Sequence, residues 1–287
     1  RPTHGWIPFS DTGPAFAKTS FAILAVAGPM ARSLEDLMLA LSVLAADNEG
    51  WQKGNGNLGI RQGPIRAAFT LSWNGIATDE KSSIRIQQFL NDLRVAGHEV
   101  REIEVPFDPV RLTELWGLIV GYEMRSKLPW LMRLPPMIQM FDHLFNRRRL
   151  REGHLMETVT SGFRATRKDY EAALKEAIQG RLDFSQKISK FDVWVTPVSS
   201  GPAVTHCAMG TRFDLRGKAV GYSEYLGNFL TPTTVLHNPI LSAPLKSVRG
   251  ELPINVQLQG QPGEDWKLLH QAKRMEGLFS NGLAIPG

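Results

Sequence analysis

Apolar residues recur at helical spacing from Ser33 onward. Leu34, Leu37, Met38, Leu41, Leu44 and Ala45 fall on one face. Ser33 is a favourable N-cap, and Asp36 completes a capping-box pattern. That helix is expected to end near residues 47–50. A Gly- and Asn-rich stretch from Gly50 to Gly63 reads as loop. Ile65 to Leu71 reads as a strand. Asp79 to Ala96 reads as a helix with Ile86, Phe89, Leu90 and Leu93 inward, stopped by Gly97. Val100, Ile103 and Val105 then predict a second strand, closed by Pro106. Strand, helix, strand in this order predicts a parallel βαβ unit.

Residues 112 to 156 follow another pattern. Trp116, Leu118, Ile119, Trp130, Leu131, Met132, Met137, Met140, Phe141 and Phe145 crowd together, interrupted by Pro129, Pro135 and Pro136. Short helices are expected. Their apolar residues either pack against a neighbouring layer or wall an apolar substrate pocket, where the adaptable shape of Met is useful. Beyond them, Lys168 to Lys190 predicts a long helix feeding the strand Val193 to Thr196. Ile240 to Leu245 and Ile254 to Leu258 predict a strand pair, with Ile254, Val256 and Leu258 alternating with Asn255, Gln257 and Gln259. A last helix is expected from Glu264-Asp265, carrying Leu268, Leu269, Ala272, Met275 and Phe279.

Composition adds bounds. The chain has 287 residues, 43% hydrophobic and 21% charged, with a formal net charge of +5. A globular chain of this size buries about 75% of its unfolded surface. No stretch reaches the roughly 20 apolar residues of a membrane span. The opening Arg1-Pro2-Thr3 does not read as a signal peptide, and the absence of an initiator Met reads as a cut or processed start. One cysteine, Cys207, precludes an internal disulfide and leads us to expect a reducing, cytoplasmic compartment. The basic cluster Arg147, Arg148, Arg149 and Arg151 lacks an interleaved aromatic ladder. It reads as a solvated helix face rather than a nucleic-acid site.

Chemical motifs are few. Gly54 to Gly59 matches G-x-G-x-x-G, but the expected order of elements around it is reversed for a dinucleotide site. No H-E-x-x-H, paired C-x-x-C, Walker loop or G-x-S-x-G is present, and the seven histidines are scattered. Neither metal nor cofactor is expected. Ser199-Ser200-Gly201 near His206 and Cys207 invites a nucleophile reading, but no partnered base is evident. A loop after Pro197 explains it better.

Several segments, in order, resemble the amidase-signature family. Arg1-Pro2-Thr3-His4-Gly5 resembles its Lys-Pro-Thr-x-Gly strand. Gly28-Pro29-Met30-Ala31-Arg32-Ser33-Leu34-Glu35-Asp36-Leu37 is close to its Gly-Pro-Met-x-Arg-Ser-x-x-Asp-Leu motif, the most specific match. Gly97-His98-Glu99-Val100 with Pro106 resembles the end of its βαβ unit. Phe191 to Pro197 resembles its Tyr-Asp-Val-x-x-Thr-Pro strand, and Leu252 to Gly260, followed by Gly263-Glu264-Asp265, resembles its C-terminal signature. His237-Asn238-Pro239 and Asn255 depart from it, standing where glycines are usual.

The resemblance implies an α/β fold: a mixed twisted β-sheet covered by helices, incomplete at its N-terminal side. Residues 1–287 would form the C-terminal part of a single amidase domain, with 106–165 a variable helical insertion on the substrate side. The family hydrolyses linear amides with a serine, a cis-serine and a lysine, all placed by the resemblance upstream of Arg1. The chain alone is therefore expected to be inactive. Met137, Phe141 and Trp130 are the candidate substrate-binding residues. A small-molecule amide is the expected partner, with neither membrane nor nucleic acid. Self-association through a truncated face is also expected. The alternative is a non-catalytic, subunit-like module, related to the amidase subunit of tRNA-dependent amidotransferases.

Overall fold

The computed structural model describes residues 1–7, 23–56, 62–133, 136–137, 140, 154–207, 211–246, 248 and 250–279. The first helix, α1 (Leu34–Leu44), starts where the sequence places it: Ser33 Oγ accepts from the Asp36 N–H at 3.1 Å. The stretch expected as loop instead begins with a helix, α2 (Glu49–Gly56). Its glycines disfavour that conformation, but Trp51 is 2% exposed. Trp51 stacks on Trp266 at 4.1 Å between ring centroids and meets Trp6 edge-on. Aromatic burial outweighs local propensity there.

The expected βαβ unit is present as β1 (Arg66–Phe69), α3 (Glu80–Val95) and β4 (Glu99–Glu102), with β1 and β4 parallel. Two short strands, β2 (Ser72–Trp73) and β3 (Ile76–Ala77), precede α3 as a hairpin. Its turn residues Asn74 and Gly75 both have positive φ, 56° and 66°. Primed turns of this kind match strand twist and favour Asn-Gly. The Asp79 side chain caps α3 at Ser82 N.

The Met- and Trp-rich region does not begin as short helices. A single 19-residue helix, α4 (Pro109–Lys127), runs unbroken because its only proline lies in the first turn, where no N–H is needed. It crosses α5 (His154–Arg164) at very close range. A Cβ added to Gly121 would meet Val159 O at 2.1 Å, and one added to Gly117 would meet Thr158 Oγ1 at 2.1 Å. Then α6 (Arg167–Ile188) follows a capping box between Thr166 and Asp169. The central strand β5 (Val193–Pro197) is buried along its whole length.

A second hairpin, β6 (Arg212–Leu215) and β7 (Lys218–Gly221), turns through Arg216 and Gly217 at φ 56° and 81°. Short helices α7 (Tyr222–Gly227) and α8 (Thr231–Leu236) lead to the antiparallel pair β8 (Ile240–Pro244) and β9 (Asn255–Gln259). The last helix is α9 (Asp265–Arg274).

The main sheet runs β4-β1-β5-β9-β8. Strand β5 is parallel to β1 and antiparallel to β9, so the sheet is mixed, as expected. One face packs Val193, Val195, Val256 and Leu258 against Leu90 and Leu93 of α3 and Leu268 and Ala272 of α9. The other packs Ala68 and Trp194 under Leu115, Ala177, Phe184 and Val235 of α4, α6 and α8. Beyond β8, the Ile240 N–H donates to Arg1 O at 2.8 Å, which carries the sheet onto the first residues. Among the described residues no helix is long and apolar enough to cross a membrane.

Candidate functional site

The carboxyl end of β5 lies next to that of its parallel neighbour β1, the usual place for a ligand on an open α/β sheet. Here β9 runs beside β5 with Thr196 opposite Gln257 and Trp194 opposite Gln259. Alternation sends Val256 and Leu258 to one core and both glutamines to the other face. That face is also buried. Thr196, Ser200, Asn238, Gln257 and Gln259 are each at most 1% exposed.

Buried amides require partners, and a ladder of hydrogen bonds supplies most of them. Asn238 Nδ2 donates to Gln259 Oε1 at 3.1 Å, and Gln259 Nε2 donates to Thr196 Oγ1 at 2.8 Å. Gln257 Nε2 donates to both Pro197 O, at 2.7 Å, and Phe229 O, at 3.2 Å. This one side chain therefore ties the end of β5 to the turn before α8. Two tryptophans close the seam. Trp194 Nε1 donates to Thr70 Oγ1 and Trp73 Nε1 to Asn228 O. Four buried polar atoms along the same seam have no partner: Asn238 Oδ1, Gln257 Oε1, Ser200 Oγ and Asn228 Nδ2.

These groups hydrogen-bond and orient. None of Thr196, Ser200, Asn238, Gln257 and Gln259 titrates near neutral pH, so they cannot serve as a general base. Ser199 Oγ donates to Gly201 O, and His206 and Cys207 are exposed. No described base is hydrogen-bonded to either serine of the Ser199-Ser200 pair. A neutral lysine base needs burial or a nearby cation. Every lysine whose side chain is described is exposed or half-buried, and the two half-buried ones pair with glutamates: Lys267 with Glu264, and Lys273 with Glu35 and Glu276. Among the described residues no group of His, Cys, Asp and Glu could hold a metal ion.

Two of the three predicted substrate residues are described. Trp130 sits on a short 3₁₀ turn, Trp130–Arg133, and is 72% exposed. Met137 is half-buried, and Phe141 lies outside the described residues. The hydrogen bonds of the polar seam involve neither Trp130 nor Met137. Sequence reasoning singled out neither Gln257 nor Gln259 as site residues. The available signal was a pair of glutamines alternating with apolar residues in a strand that is buried on both faces.

A family profile described as Amidase matches residues 1–269. The chain belongs to the amidase family. Solved structures share its fold. A structure described as an amidase is 22% identical, with a TM-score of 0.70 over 98% of this chain and 58% of its own. A 6-aminohexanoate cyclic dimer hydrolase, determined with substrate, is 19% identical with a TM-score of 0.66, over 97% and 59%. A glutamyl-tRNA(Gln) amidotransferase subunit from Thermotoga maritima is 18% identical with a TM-score of 0.57, over 94% and 55%. This amidase-family chain thus spans less than three fifths of the length of these neighbours. No curated protein matches it.

Two departures from the family pattern now have a structural account. His237 ends α8 in the left-handed conformation, φ 59°, that the usual glycine would favour. The backbone shape is therefore kept, and the imidazole is added to it. Asn255 opens β9, with its Nδ2 3.4 Å from Ser242 Oγ of β8.

Proposed function

We propose that this chain is the C-terminal portion of a single-domain amide hydrolase. In this reading it hydrolyses the carbon–nitrogen bond of a linear amide by a serine, cis-serine and lysine mechanism. Its nucleophile and base lie upstream of Arg1, and residues 106–165 form a variable substrate-side insertion. One observation carries the reading: the family match runs across residues 1–269, while no described lysine is placed to act as a neutral base. The buried seam from Asn238 to Asn228 then serves as a rigid polar wall, and the missing relay stands against it. Trp130, Met137 and Phe141 remain the proposed apolar contacts to the acyl or aryl group. A small-molecule amide is the proposed partner, in a reducing cytoplasmic setting that suits the single, exposed Cys207.

The outer face of α1 supports self-association of the chain taken alone. Leu39 is 65% exposed, Val43 68% and, just before the helix, Met30 98%. A patch of this kind calls for a partner surface. Light scattering of the isolated chain should report a dimer or larger species; a monomer stable to dilution contradicts it.

The decisive experiment assays linear aliphatic and aryl amides with the 287-residue chain and with a version extended at its N-terminus. The extended protein is expected to turn over amide and the shorter one is not. Turnover by the 287-residue chain overturns the placement of the relay. A non-catalytic subunit-like role is the second reading, favoured by the absence of titratable groups from the seam; an inactive extended protein that co-purifies with a partner would establish it.

A further inference from the structure

Two guanidinium groups meet at the C-terminal end of α8 with no acid beside them. Arg1 approaches end-on: Nη2 donates to Thr233 O at 2.6 Å and Nη1 reaches Thr234 O at 3.4 Å. Its Nε is buried and has no partner. Arg181, from α6, uses its other edge. Its Nε donates to Val235 O at 2.8 Å and its Nη2 to His237 Nε2 at 3.0 Å. Its Nη1 donates to no described group. No aspartate or glutamate among the described residues forms an ion pair with either arginine. Burial holds both guanidiniums down at about 10, and for Arg1 the charge of Arg181 adds to the effect.

Capping explains half of this arrangement. Carbonyls at a helix C-terminus accept readily from arginine, and three of them do so here. They carry only partial charge, however, and cannot neutralise two half-buried cations. The donor atoms left without a partner among the described residues are Arg1 Nε and Arg181 Nη1.

We propose that this corner binds a small oxyanion, a carboxylate or phosphate group, held between the Nε edge of Arg1 and Nη1 of Arg181. The imidazoles of His4 and His237 stack at 4.1 Å with an interplanar angle of 16° and form one wall. His237 carries no charge. A guanidinium can only donate, so His237 Nε2 accepts from Arg181, and its other nitrogen donates to the Ile23 carbonyl. Burial first, then Arg181, His4 and Arg1, push its pKa down to about 3. Its role is to aim Arg181. A glycine at this position would leave Arg181 Nη2 without that acceptor. The inference does not depend on amide hydrolysis: binding holds or fails whether or not an extended protein is active.

The test is calorimetric titration of the 287-residue chain with inorganic phosphate, acetate and benzoate, against chloride at equal ionic strength. Arginine side-chain ¹H–¹⁵N signals are followed in parallel. The expected result is saturable binding of at least one oxyanion, with displaced arginine signals, weakened about tenfold or more in Arg181→Gln because a charge-assisted pair is lost. Tighter phosphate assigns the site to free phosphate, and tighter benzoate or acetate to a carboxylate. His237→Gly should weaken binding by a smaller factor. No saturable binding, or binding unchanged in Arg181→Gln, overturns the proposal. If Arg181→Gln does not fold, Arg181→Lys serves in its place: it keeps the charge but loses the fork, and unaltered affinity and arginine shifts in that variant likewise overturn it.

Discussion

Gln259 donates Nε2 to Thr196 Oγ1 at 2.8 Å, with both residues fully buried between the sheet and the helices above it. Thr196→Val keeps the shape and removes the acceptor. It should cost about 1–3 kcal/mol, the desolvation penalty of an amide donor left unpaired. Urea denaturation measures it, and an unchanged midpoint would remove Thr196 from the account of the seam.

Ser200 behaves in the opposite sense. Its Oγ is buried and has no partner. Ser200→Ala should leave stability unchanged or raise it slightly, because it deletes an unsatisfied polar atom. A loss above about 1 kcal/mol would show that the hydroxyl is hydrogen-bonded after all, through water or another group.

The crossing of α4 and α5 depends on glycine. A methyl group at Gly121 would meet Val159 O at 2.1 Å and Gly162 Cα at 2.8 Å. Gly121→Ala should therefore destabilise by about 1–3 kcal/mol through overpacking, despite the better helix propensity of alanine. Thermal denaturation of Gly121→Ala beside an exposed control on α3, Asn91→Ala, separates the two effects.

Asp265 should give stability an inverse pH dependence. Burial pushes its carboxyl up to about 6, against the pull of its hydrogen bonds from Thr3 N and Thr3 Oγ1. The folded state then holds a proton that the unfolded state has released. Stability from this group is full below the unfolded value near 3.8 and declines as pH rises through about 6. The difference between wild type and Asp265→Asn should shift by about 2–3 kcal/mol across that window. A difference that is flat with pH, or rises with it, contradicts the assignment.

Most of the frame was legible from periodicity. Helices α1, α3, α6 and α9 and strands β1, β5, β8 and β9 lie close to where apolar spacing and caps place them. What was missed has physical causes. Helix α2 forms because Trp51 is buried against Trp6 and Trp266, a long-range effect that overrides its glycines. Asn74-Gly75 carried a hairpin signal that a single strand reading passed over. The length of α4 follows from its prolines lying at one end and beyond the other, which apolar crowding concealed. The seam was hidden for a different reason: an alternating strand looks half-solvated, and only the helices packed above show that Gln257 and Gln259 are buried. Arg181 and His237, 56 positions apart, have no local signature at all.

The central claim is that the nucleophile of this amidase-family fold is not among residues 1–287. Labelling with a fluorophosphonate, followed by peptide mapping, tests it most directly. An N-terminally extended protein should carry the label on a serine before Arg1, and the 287-residue chain should carry none. A label on Ser199, Ser200 or any other residue of the present chain would contradict the account.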